Sequence, residues 1–272
     1  MSTRRSKPRW SPEQRSFIAK KAFSLTGVVP IGAFLVVHLW TYSTALRGRQ
    51  AFEQAMGSRA PYWVVLEAIL IWLPLFFHTV YGFKLAFEGR SNLLLYPHFE
   101  NWMYSLQRLT GVLSAGFIVY HFWHFRLPLL TGKIGEHDLF PELCASLSST
   151  VRGVPAVALA YLVGIAAATF HLANGLSGFC FSWGITQSRR ATRVAGGLFG
   201  IFGAALFALG ANTLIYFATG SGLVLLIPGQ SGQAVAVSCR DIGPASASGT
   251  APADEHLAQE TARGSGAKGD GN

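Results

Sequence analysis

Five histidines lie inside long apolar runs of this chain: His38, His78, His121, His124 and His171. Imidazole is costly in hydrocarbon unless it is paired, and it is also a common ligand of metals and of haem iron. The runs that hold these residues fall near 22–46, 62–84, 104–127 and 154–183, and a fifth apolar run without histidine follows near 194–218. In each of the first four runs histidine lies past the midpoint. Successive crossings of a membrane alternate in direction, so His38 and either His121 or His124 fall toward one leaflet, and His78 and His171 toward the other. At about 1.5 Å of rise per residue the two couples stand roughly 12–15 Å apart along the normal. Two imidazoles facing each other across a helical bundle form the protein half of a six-coordinate haem iron site. Zinc would want a third or fourth ligand from Cys, Asp or Glu at the same depth, and none is offered. Spacing favours His121, nearer the depth of His38, and leaves His124, almost level with Arg126 and the interface, as the runner-up.

Those histidines must be positioned by spans. A helix needs about 20 apolar residues to cross a bilayer, and of the 272 residues half are hydrophobic and only 13% charged. The sequence therefore predicts an all-α integral membrane bundle of five transmembrane helices, the first four enclosing two stacked haems. Its divisions are residues 1–21 with a short interfacial helix opening at "SPEQ", a haem-binding domain over 22–220, and a flexible tail over 221–272. Lys and Arg cluster in short juxtamembrane segments: seven in residues 1–21, then Lys84, Arg90 and Arg108, then Arg189, Arg190 and Arg193. This asymmetry puts the N-terminus in the cytoplasm and the C-terminus outside. The net charge of +9 sits at membrane edges, without any nucleic-acid recognition motif, and lipid is the partner it implies. Pro30 and Pro74 should kink their helices. Small residues, among them Gly27, Gly32, Gly111, Ser114, Gly116, Gly175 and Gly178, allow close approach of helices or of a wide ring.

Other polar residues are fewer. Glu67, near the outer end of the second span, is an intramembrane acid and a candidate for proton exchange with a bound substrate; its bland alternative is a water-exposed interfacial carboxylate. Arg108, Arg189 and Arg190 read equally as contacts for the propionates of an inner haem or as positive-inside anchors. Cys144, Cys180 and Cys239 form no C-x-x-C motif; Cys144 and Cys239 would share the outer compartment, where a disulfide between them is open.

Three stretches, "GVVPIGAFLVVHLW" (27–40), "LQRLTGVLSAGFIVYHFWH" (106–124) and "FHLANGLSGFCFSWGITQSRRA" (170–191), strongly resemble the di-haem cytochrome b membrane anchors of succinate:quinone oxidoreductases, and the likeness runs over about 1–220. The resemblance implies that His38 and His121 bind a distal haem b and His78 and His171 a proximal one. It strengthens the choice of His121, because the glycine of the family's T-G pattern, Gly111, precedes it by ten residues. It further implies flavoprotein and iron–sulfur partner subunits, a quinone substrate, here menaquinone, a bacterial cytoplasmic membrane location and a higher oligomer of the complex. The anchor has no dehydrogenase chemistry of its own. Thr169 stands where quinol:fumarate reductase relatives carry a glutamate, which turns the expectation toward the succinate-oxidising branch. The alternatives are a quinol:fumarate reductase anchor, another bis-histidine b-type cytochrome, and a haem-free transporter.

Overall fold

The computed structural model describes residues 10–57, 62–89, 93, 95–222 and 239, and all of its regular elements are helices. Helix α1 (Pro12–Arg47) begins at a capping box. The Ser11 hydroxyl accepts from the Gln14 amide at 3.3 Å, the Gln14 side chain accepts from the Ser11 amide at 2.9 Å, and Pro12 fills the first position, where no amide hydrogen is needed. The helix that opens at "SPEQ" leads directly into the first span, and α1 continues as one helical segment of 36 residues.

A short α2 (Arg49–Met56) follows, then α3 (Tyr62–Glu88). Helix α4 (Phe99–His121) continues through a wider turn, Phe122–Arg126, and a last turn, Leu127–Leu130. Then come α5 (Leu139–Ser148), α6 (Ala156–Ser182) and α7 (Arg189–Thr219). Four of these, α1, α3, α6 and α7, are long and apolar enough to cross a membrane. Helix α4 is also long, but it carries Glu100, Gln107, Arg108, His121, His124 and Arg126.

Three π-helical turns interrupt the spans: Gly27–Gly32, Ala68–Trp72 and Phe122–Arg126. Each has a proline inside it or just beyond, at Pro30, Pro74 and Pro128. Proline lacks an amide hydrogen and its ring crowds the carbonyl four residues back, so widening the turn by one residue relieves the clash without ending the helix. This is the form that the expected kinks take.

Helix α7 lies along α6, and α6 along α4. Glycine permits the first contact: a Cβ on Gly210 would stand 2.8 Å from Ile165. Outward faces are apolar, with Leu73, Phe76, Val163 and Ile201 more than half exposed, an arrangement that suits lipid and not water.

The tightest packing lies at the end of the bundle where α1 finishes. There α2 and α5 fold over the spans, and Phe52, Phe140 and Phe217 meet edge-on with centroids 5.5–6.0 Å apart. Cys144 of α5 is bonded to Cys239 at this cap, the pairing that the sequence left open. Apart from Cys239, Ser221 and Gly222, the expected flexible tail lies outside the described residues.

Candidate functional site

The four long helices that carry these histidines bring their rings together in two couples. His38 of α1 meets His121 of α4 with centroids 5.7 Å apart and planes at 83°. His78 of α3 meets His171 of α6 at 6.3 Å and 88°. Gly111, which touches the His171 ring, lies ten residues before His121 on the same helix, so the couples stand about 15 Å apart along α4.

The His78–His171 couple is held by one device used twice. The His78 Nδ1–H donates to the carbonyl of Phe23 at 3.0 Å, and Gly27, four residues on, faces the ring. The His171 Nδ1–H donates to the carbonyl of Gln107 at 3.0 Å, and Gly111, again four residues on, faces that ring. A helix offers the carbonyl of residue i beside the side chain of residue i+4, so glycine there opens the notch through which the imidazole reaches the carbonyl. A Cβ on Gly27 would stand 2.9 Å from Nδ1 of His78 and closer still to Cε1; one on Gly111 would stand 2.9 Å from Cε1 of His171. Because a carbonyl only accepts, the proton sits on Nδ1 in both histidines, and Nε2 keeps its lone pair. That is the tautomer a metal ligand needs, fixed by the hydrogen bond of the other nitrogen. Phe23 also stacks on the His78 ring, with centroids 4.3 Å apart.

In the His38–His121 couple, His121 Nδ1 lies 3.3 Å from the Tyr161 hydroxyl. His124 is turned elsewhere: its Nδ1 is 3.0 Å from the Tyr120 hydroxyl, its Nε2 2.8 Å from the Ser146 hydroxyl, and its ring stacks on Phe125 at 4.5 Å.

Glu67 is not a water-exposed carboxylate. It pairs with Arg126 across α3 and α4 and accepts from the Trp72 indole at 3.1 Å, with the two charged side chains 17% and 21% exposed. The arginines weighed as propionate contacts or anchors are placed as follows. Arg108 donates to the carbonyls of Gly89 and Leu85 at 3.0 and 2.9 Å, closing the end of α3, and stacks over Tyr104. Arg189 and Arg190 are exposed in the first turn of α7.

Sequence reading missed Arg126, Gln107 and Asn174. A signal for the last two was available, since a carboxamide inside an apolar span raises the same question as a histidine.

The residues present fit haem. Among the described residues no three of His, Cys, Asp and Glu converge as a metal cage; the imidazoles meet in twos, leaving the remaining equatorial ligands to a macrocycle. Among the described residues two buried donors of α4 and its continuation, Ser114 Oγ between the levels of the two couples and Arg126 Nε past His121, have no partner. Ser114 precedes His121 by two helical turns on the same face. Buried donors of this kind suit a ligand bearing carboxylates.

A family model described as the succinate dehydrogenase/fumarate reductase transmembrane subunit matches residues 89–211, the stretch that holds His121 and His171. The chain is also 35% identical, over 183 residues, to the succinate dehydrogenase cytochrome b558 subunit of Bacillus subtilis (strain 168), an alignment spanning 66% of this chain and 87% of the relative.

Proposed function

Because the chain belongs to the succinate dehydrogenase/fumarate reductase transmembrane-subunit family as a multi-pass cytochrome b membrane subunit, we propose that it anchors a succinate dehydrogenase and carries electrons from its iron–sulfur subunit to menaquinone through two haems b. The observation that carries this reading is the pair of imidazole couples at two depths, 5.7 and 6.3 Å between ring centroids. His38 and His121 would hold the outer haem, His78 and His171 the inner one. Bis-histidine haem supplies one-electron transfer with no open coordination position. The chain's own residues then orient, insulate and move protons.

Helix α4 completes a five-helix bundle in this proposal. Its polar residues face inward, as His121 and Gln107 do toward α1 and α6. The N-terminus is cytoplasmic, where the flavoprotein and iron–sulfur subunits dock. The Cys144–Cys239 bond supports this orientation, because disulfides persist on the oxidising side. In intact cells a membrane-impermeant maleimide should label Cys144 and Cys239 only after reduction. Labelling without reduction would contradict the pairing, and labelling confined to inverted vesicles would contradict the orientation.

Thr169 supports the succinate-oxidising direction. Its hydroxyl donates to the Ile165 carbonyl at 2.8 Å and is fully buried, so this position offers no carboxylate for a proton route.

Glu67 is the proposed proton-exchanging group for quinone at the outer end. Glu67→Gln should lower succinate-to-quinone turnover about 100-fold, a typical contribution of a positioned acid or base, while succinate oxidation with a soluble dye stays normal. The substitution also strands Arg126, and an unpaired buried charge is itself destabilising. The double variant Glu67→Gln, Arg126→Gln removes that complication. Normal quinone turnover in the double variant would end the proton-exchange role.

The proposed function as a whole is tested in membranes lacking this chain. The flavoprotein and iron–sulfur subunits should appear in the soluble fraction, still reducing a dye with succinate but not a quinone. Subunits that remain membrane-bound and reduce quinone at the parental rate would overturn it.

A further inference from the structure

Beside the inner couple, three hydrogen bonds join α4 and α6 through two carboxamides. Asn174 donates from Nδ2 to the Met103 carbonyl at 3.1 Å and to Gln107 Oε1 at 2.8 Å. Gln107 donates from Nε2 to the backbone carbonyl of His171 at 3.1 Å and lies 3.3 Å from Nε2 of the His171 ring. Both ends of the network are backbone carbonyls, which only accept, so the direction of every bond is fixed: the NH2 end of each amide faces its carbonyl, and the oxygen of Gln107 faces Asn174. Gln107 also supplies the carbonyl that takes the Nδ1 proton of His171. One residue thus touches both nitrogens of that ring. Gly175, one residue past Asn174, keeps the space open, since a Cβ there would stand 3.4 Å from Gln107 Nε2.

Resting on the haem reading above, we infer that Asn174 and Gln107 are a positioning pair that fixes the His171 ligand and raises the reduction potential of the inner haem relative to the outer. Asn174 grips Gln107 Oε1, which leaves the amide no choice but to present its NH2 end to His171. The positive end of that dipole lies beside the nitrogen assigned to iron and favours the less positive, reduced state. Nearby hydrogen bonding and fixed dipoles are the usual levers on haem potential. Neither residue is a ligand. The His121 ring instead meets the Tyr161 hydroxyl, 3.3 Å from Nδ1.

The purified complex carrying Asn174→Ser, and separately Gln107→Leu, is titrated potentiometrically on the haem α-band, with low-spin ferric EPR on the same samples. Both variants should keep two haems. The component assigned to the inner haem, identified as the one lost in His78→Ala, should titrate at lower potential with altered g-anisotropy, while the outer component stays put. Asn174→Gln, which can restore a donor, should return part of the shift. Unmoved potentials and spectra in both variants would overturn the inference, as would equal shifts of the two haems. Loss of the inner haem from both variants would also overturn it, because a pair that only orients a ligand leaves the ligand in place. A parent complex without haem would instead defeat the reading on which the inference rests.

Discussion

Replacing His78 with alanine should leave the chain with one haem in place of the proposed two, and the survivor should be the haem between His38 and His121. Among the described residues the His78 ring is the imidazole that faces His171, and the notch that holds it, the Phe23 carbonyl with Gly27, has nothing to offer iron in its place. Succinate-to-quinone turnover should fall by more than about 100-fold, since even neighbours of a metal ligand cost 10–100-fold when removed. Dye-linked succinate oxidation, which needs only the partner subunits, should persist. His121→Ala should give the mirror result and spare the inner haem. His124→Ala should spare both, because that ring is tied to Tyr120 and Ser146 and not to His38. Haem assay per chain, with EPR to say which low-spin signal is missing, checks all three. Two haems in His78→Ala, or one in His124→Ala, would contradict the assignment.

The second large effect comes from a single methyl group. Alanine is favoured over glycine in a helix by about 1 kcal/mol, so Gly27→Ala and Gly111→Ala would help α1 and α4 taken alone. The imidazoles reverse that sign. The added Cβ would press on the His78 or His171 ring at 2.9 Å or less, and the ring cannot retreat without breaking its Nδ1–H bond to the carbonyl. Overpacking of this kind costs typically 1–3 kcal/mol, and here the displaced group is the ligand itself. Both variants should lose inner haem selectively, Gly27→Ala the more severely. Gly116 on α4 has nothing within 4 Å of a Cβ, so Gly116→Ala should be neutral or slightly stabilising. Equal haem content in Gly27→Ala, Gly111→Ala and Gly116→Ala would show that the notches do no positioning.

These contrasts also mark where the sequence stops being informative. Chain direction alone sorts the histidines into the same couples whose rings meet in the structure, because helical rise and alternating direction are enough to compare depths. Which glycines matter is not legible that way. Gly27 and Gly111 face imidazoles, whereas Gly116 and Gly178 face open space, and only packing distinguishes them. Proline announced the irregular turns of the spans but not their π-helical form. The cap was passed over because α2 and α5 are short and amphipathic, signals that a search for long apolar runs ignores. Yet Leu139, Phe140, Leu143, Cys144 and Leu147 recur at helical spacing and are all buried. Glu67 was visible as an acid in a span. Its partner was not, because Arg126 reads as an interfacial anchor until α3 and α4 are placed side by side.

The haem-to-chain ratio of the purified complex, taken from a pyridine haemochrome assay against quantified subunit, tests the central claim most directly. Two b haems per chain are predicted, resolved as two low-spin components in the same sample. A ratio of one, or a colourless protein from cells well supplied with haem, would contradict it.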